Sequence, residues 1–275
     1  HGSFFGRRFN RDTSKYPNQR IAFLDQDLIS TMLKDYKQFQ PDYRCFKFRE
    51  YYEDQVNGTA HCEAATNKKW FVDVDHLYAY LFVNGNHWVA LDIDLTKKRV
   101  NVYDSIPSLT TDTEMAIQCM FVMTMIPAML SSFIPSKQRR RSYSKLEWKR
   151  ITENLDPGDC AIYSIKYIEC LALGKSFDGL CDENMQSLRT KLAVEMFEEI
   201  GENAGTLHSE VRRKAFKFPS LMDEKKLLLR TMFHFKLRIL LCLQMSSTRI
   251  YTQYIESNVL KYLLTSRRGS RDELD

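Results

Sequence analysis

Two neighbouring stretches, His87-Trp88-Val89-Ala90-Leu91-Asp92-Ile93-Asp94 and Lys98-Arg99-Val100-Asn101-Val102-Tyr103-Asp104, decide how this chain folds. Both read at period two, the spacing of a β-strand. His87, Val89, Leu91 and Ile93 share one face of the first, and Val100, Val102 and Asp104 share one face of the second. A hairpin turning around Leu95 and Thr96, with Asp94 to Lys97 as its connection, sets Leu91 opposite Val100, Val89 opposite Val102 and His87 opposite Asp104. Face parity also permits a slip of two residues. Directly opposed side chains have Cβ atoms about 4.5–5.5 Å apart, so an imidazole and a carboxylate there come within hydrogen-bond reach.

Outward from this pair, Leu77 to Val83 reads as another strand, joined to the first by the turn signal Asn84-Gly85-Asn86. Phe23 to Tyr36 carries apolar residues at 24, 28, 29, 32 and 33, a helical stripe with Asp25 as its N-cap. Tyr43 to Val56 takes no assignment, and Asn57-Gly58 reads as a turn. Met115 to Phe133 predicts one buried helix broken or ended near Pro127. Lys145 to Asn154 reads as a short strand or loop leading to Pro157-Gly158. Cys160 to Leu173 predicts a helix with Asp159 at its N-cap and Gly174 as its stop, and Asn184 to Ile200 predicts another. Residues 1–19 read as an N-terminal arm or linker, 20–215 as one domain, and 216–275 as an appended helical tail.

A histidine held by an aspartate can serve as a catalytic base, because the carboxylate fixes the tautomer and stabilises the imidazolium. Cys160 is placed to be the nucleophile that such a base needs. It follows Pro157-Gly158-Asp159 and opens a helix. A helix N-terminus lowers a thiol pKa, and its free N–H groups can hold an oxyanion. An imidazolium nearby lowers that pKa further.

Composition narrows the alternatives. Aromatic residues at 12% argue for a packed core over disorder. A net charge of +5 is mild for a dedicated nucleic-acid binder, and no specific nucleic acid is expected as a partner. The basic run Lys137, Arg139, Arg140, Arg141, Lys145, Lys149 and Arg150 reads as a solvated face, a nuclear-localisation patch or a docking surface. The seven cysteines are odd in number and contain no C-x-x-C, which favours free thiols in a reducing compartment. His61-Cys62 has no second pair at ligand spacing, so no metal is expected. Met115 to Ser136 lacks charge, but its Gln118, Pro127 and methionines suit a core helix better than a membrane span, and no membrane partner is expected.

Val83-Asn84-Gly85-Asn86-His87-Trp88-Val89, then Tyr103-Asp104-Ser105, then Gly158-Asp159-Cys160 resemble the ubiquitin-like-protein-specific (SUMO or sentrin) cysteine proteases, and their large plant branch associated with mobile elements in particular. The order His, Asp, Cys and the 17-residue step from His87 to Asp104 both fit, over roughly residues 20–205. The resemblance implies a papain-like α+β fold, a central mixed sheet flanked by helices. It implies cleavage after the C-terminal Gly-Gly of SUMO or a related modifier, freed from a precursor or from a lysine isopeptide, with no cofactor. It implies Cys160, His87 and Asp104 as the triad. Trp88 and Phe23 would be the aromatic walls of a tunnel that admits only glycine, since any Cβ would clash. The modifier and its conjugates would be the partners, and the nucleus, or the cytoplasm, the place of action.

Two positions depart from the family pattern. A glutamine that helps to stabilise the oxyanion usually stands before the cysteine. Here the segment reads Glu153-Asn154-Leu155-Asp156-Pro157, which is either a replacement, with Asn154 at the matching spacing, or a short deletion that removed the glutamine. The glycine usual after the cysteine is Ala161. Losing one oxyanion donor typically slows a reaction about 10²–10³-fold. Two further readings therefore stand beside a thiol isopeptidase. One is a weak or inactive mobile-element copy that binds a modifier without cutting it. The other is an acyltransferase sharing the same order of His, acid and Cys, although no cofactor signature accompanies it.

Overall fold

The strands form where β-branched and aromatic residues alternate, and pairing arranges them into one mixed five-stranded sheet in chain order. The computed structural model describes residues 2–41, 43, 45–60, 65–135, 144–152 and 159–196. All of them lie in the compact unit His1–Ile200, and the second unit, Gly201–Asp275, which holds the expected tail, lies outside the described residues. The strands are β1 (Ile21–Phe23), β2 (His76–Val83), β3 (His87–Asp94), β4 (Arg99–Tyr103) and β5 (Glu147–Ile151). The antiparallel trio β2-β3-β4 is flanked by β1, parallel to β2, and by β5, parallel to β4.

The helices are α1 (Gly2–Arg11), α2 (Gln26–Phe39), α3 (Glu50–Asn57), α4 (Asp112–Phe133) and α5 (Cys160–Leu173), with a further helix over 182–196. Leu77, Ala79, Leu81, Val89, Leu91, Ile93, Val100 and Val102 form the main core with α2, α3 and α4. Helix α5 packs against β2 and β3, and α1 against β1 and β2. The result is the α+β arrangement expected, a mixed sheet with flanking helices.

The β3–β4 register differs from the expected pairing by two residues. Leu91 lies opposite Val102, and Ile93 opposite Val100. The cause is Asp94, whose Oδ1 accepts from Thr96 N–H at 3.1 Å, Thr96 Oγ1 at 2.7 Å and Lys97 N–H at 2.8 Å. This side-chain turn keeps Asp94 in the ladder, paired with Arg99, and moves the loop to Leu95–Lys98. Lys98 closes the loop with φ +54°.

Helix α2 begins after Asp25, whose carboxylate accepts from Leu28 N–H at 2.8 Å, and Phe23 belongs to β1 instead. Leu33, counted in the apolar stripe, is 47% exposed. The unassigned Tyr43 to Val56 holds all but the last residue of α3, which is capped by Gly58 with φ +71°. Where an arm was expected, α1 buries Phe4, Phe5 and Phe9; its basic residues had masked this apolar face.

Helix α4 starts earlier than expected, at a capping box of Thr111 and Glu114, and continues through Pro127. Proline lacks the N–H that would bond the carbonyl four residues back. That carbonyl belongs to Met123, and it accepts from Leu146 N–H at 2.9 Å. Helix α4 is long and apolar enough to cross a membrane by length and composition. Here it packs Met115, Cys119, Val122, Met125, Ile126 and Met129 into the core.

Candidate active site

Three elements deliver the candidate residues to one end of the sheet. His87 is the first residue of β3, Asp104 follows the last residue of β4, and Cys160 is the first residue of α5. His87 and Asp104 are fully buried, and Cys160 is nearly so. His87 Nε2 and Asp104 Oδ1 are 2.7 Å apart. Asp104 Oδ1 also accepts from Ile106 N–H at 2.9 Å, while Oδ2 accepts from Arg150 Nε at 3.0 Å and Nη2 at 2.6 Å. A carboxylate so surrounded by donors is ionised and acts as an acceptor, so the imidazole carries a proton on Nε2. Nδ1 is left toward the thiol. It makes no aligned hydrogen bond among the described residues, while Cys160 lies close enough for its side chain to interact with that of His87.

The electrostatics follow from this geometry. Burial works against charge on His87, but the hydrogen bond to Asp104 and the contact with Cys160 outweigh it and raise its pKa to about 9. Burial works against the Cys160 thiolate as well. The His87 imidazole, the Trp88 N–H, which donates to Sγ at 3.4 Å, and the Ala161 N–H overcome that penalty and hold the thiol below its ordinary value. Asp104 is likewise held below the usual carboxylate range, burial being offset by His87, Arg150 and the Ile106 amide. The three groups are thus poised for a thiolate beside an imidazolium.

Asp159 occupies the N-cap position of α5 without capping it. Its carboxylate pairs with Arg189 instead. Trp88 stacks obliquely on Phe82, ring centres 4.7 Å apart. Phe23 lies two strands away, since it pairs with Tyr78 and Tyr78 with Asp92. Its ring contacts Phe5, Phe9 and Tyr78, so the structure does not bring the two expected tunnel walls together. Asn154 and the His61-Cys62 pair lie outside the described residues. Among the described residues, no three His, Cys, Asp or Glu side chains gather to hold a metal.

Sequence reasoning missed Arg150 and the amides of Trp88 and Ile106. Arg150 was read only as part of a basic run. The signal that could have found it is its place on β5, parallel to β4 and paired with Val102, two residues before Asp104.

The model of the Ulp1 protease family, C-terminal catalytic domain, matches residues 3–204. No curated protein matches the chain. Among solved structures, the chain is similar to the SUMO protease Ulp1 with its catalytic cysteine oxidised to a sulfenic acid, at 12% identity and TM-score 0.43, covering 72% of this chain and 76% of that one. It is also similar to the C-terminal Ulp1 protease domain in complex with Smt3, the yeast ortholog of SUMO, at 15% identity and TM-score 0.38, covering 64% and 65%. A third is the catalytic domain of the Ulp1-like SUMO protease of Chaetomium thermophilum, at 14% identity and TM-score 0.36, covering 63% and 59%.

Proposed function

Because this chain belongs to the Ulp1 protease family and carries its C-terminal catalytic domain, we propose that it is a thiol isopeptidase that cleaves after the C-terminal Gly-Gly of SUMO or a related modifier, with Cys160, His87 and Asp104 as its triad. The observation that carries this reading is the buried contact chain from Cys160 through His87 to Asp104. Cys160 Sγ attacks the terminal glycine carbonyl, and a tetrahedral intermediate forms. The N-terminal amides of α5 face the developing oxyanion. The imidazolium gives its Nδ1 proton to the leaving lysine amine, and the C–N bond breaks to leave a thioester. The same imidazole then takes a proton from water, whose oxygen attacks the thioester and releases the free modifier and the thiolate. Trp88 would flank the glycines as they enter.

The test is reaction with a SUMO carrying an electrophilic C-terminus, comparing the wild type with Cys160→Ala and His87→Ala. An adduct that forms only in the wild type supports the reading. Equal labelling of Cys160→Ala, or none of a folded wild type, overturns it. A second reading, a module that binds a modifier without turning it over, draws on Ala161, which follows Cys160 where the family usually has glycine. Measurable SUMO binding together with absent turnover favours this second reading.

A further inference from the structure

We propose that Arg150 is a positioning residue of this site, its guanidinium turning the Asp104 carboxylate so that one oxygen faces His87. The proposal rests on the triad reading above and adds a group outside the triad.

The argument starts from the acceptor sites of a carboxylate. Asp104 is fully buried, so both oxygens need donors. Oδ1 receives His87 Nε2 and Ile106 N–H, and Oδ2 receives two nitrogens of one guanidinium. That guanidinium is itself fixed. Its Nη2 also donates to the Pro107 carbonyl at 2.9 Å, and its Nη1 to Asp112 Oδ1 at 2.9 Å. The Arg150 side chain is only 11% exposed, whereas Asp112 is a surface group. Asp104 is also held through its backbone, N–H donating to the Ile151 carbonyl at 3.0 Å, so β5 grips it from both sides. A planar fork with several committed donors leaves the carboxylate no freedom to rotate.

Geometry and charge pull the chemistry in opposite directions here. A cation beside Asp104 weakens the field that stabilises the imidazolium, so by charge alone Arg150 would work against the thiolate. Its benefit must come from orientation. The charged groups linked to the thiol through His87 are Asp104 after β4, Arg150 on β5 and Asp112 on α4, while Asp159, next to Cys160 in the chain, pairs with Arg189 of the helix over 182–196.

The test uses the full chain with Arg150→Met and Arg150→Lys. Two quantities are read: the pH dependence of Cys160 alkylation by iodoacetamide, and the kcat and KM for a SUMO C-terminal fluorogenic amide. If Arg150 positions Asp104, Arg150→Met moves the thiol titration up toward an ordinary cysteine. It then lowers kcat about 10²-fold at little change in KM, the scale of an ångström-level misplacement. Arg150→Lys, which keeps the charge but not the fork, recovers part of both. A thiol titration that moves down in Arg150→Met, or a kcat unchanged in both variants, overturns the proposal. Should Arg150→Met fail to fold on thermal melting, Arg150→Lys carries the test, and unchanged kcat and titration there overturn it. A wild-type thiol that titrates as an ordinary cysteine, unaffected by His87→Ala, overturns the triad reading itself, whatever Arg150 does.

Discussion

His87 and Asp104 meet at 2.7 Å as diagonal neighbours across β3 and β4. The register that pairs Ala90 with Tyr103 sets Val89, not His87, opposite Asp104. Diagonal neighbours on paired strands stand about 7–8 Å apart at Cα, a span that an imidazole and a carboxylate close only if both rotamers point along the diagonal. The contact therefore depends on what turns the carboxylate, and the Ile106 amide and Arg150 guanidinium occupy the rest of it.

Replacing that carboxylate should disturb the base in a definite direction. Asp104→Asn presents an amide that can donate to Nε2, which reverses the imidazole tautomer, and leaves Arg150 only the exposed Asp112 as a carboxylate partner. We expect turnover of a SUMO fluorogenic amide to fall about 10²–10⁴-fold. We also expect the His87 pKa, followed by NMR of the imidazole, to drop from about 9. A His87 pKa that stays near 9 would show that Asp104 is not its main support.

The pH profile of the wild type follows from the two shifts. The thiolate is present above a lowered Cys160 pKa, and the imidazolium is present below a His87 pKa of about 9. The kcat/KM for the same substrate should rise as pH passes the lowered Cys160 pKa, hold above it and fall as pH passes about 9. His87→Ala should abolish the alkaline limb.

A second histidine–carboxylate pair predicts a stability effect. His76 Nδ1 lies 2.7 Å from Asp92 Oδ1, and Asn101 Nδ2 donates to Asp92 Oδ2 at 3.0 Å. The hydrogen bond to Asp92 raises the His76 pKa against its partial burial. A folded pKa above the unfolded one gives stability that is complete below the unfolded value of about 6.5 and is lost as pH rises through the folded value. His76→Gln should therefore cost about 1–2 kcal/mol near pH 6 and clearly less at pH 9, measured by urea unfolding. Equal losses at both pH values would contradict a charged His76.

Gly58 sets the end of α3. Its φ is +71°, and a Cβ there would meet the Lys68 carbonyl oxygen at 2.5 Å. Gly58→Ala combines a left-handed backbone with a backbone clash and should cost about 2–3 kcal/mol. Thermal melting should show the loss, with the Cys160 alkylation profile unchanged in the folded protein.

What the sequence alone determined is local. Period-two alternation marked β2, β3 and β4, Asp25 and Gly174 marked helix ends, and the order His87, Asp104, Cys160 pointed to groups that the fold places at one end of the sheet. The alternation and the caps act within a few residues, where backbone geometry dictates which side chains share a face or can cap a helix. Tertiary structure decided the rest. A two-residue slip preserves face parity, so the β3–β4 register was settled by the three bonds that Asp94 makes within its own turn. Pro127 did not end α4, because Leu146, remote in sequence, takes the carbonyl that the proline leaves open. Arg150 looked like one more cation in a basic run until β5 paired beside β4 and put its guanidinium against a buried carboxylate. Such partners come from distant parts of the chain. A hydrogen bond between them leaves no period and no spacing in the sequence, and only the pairing of the strands brings the two groups within reach.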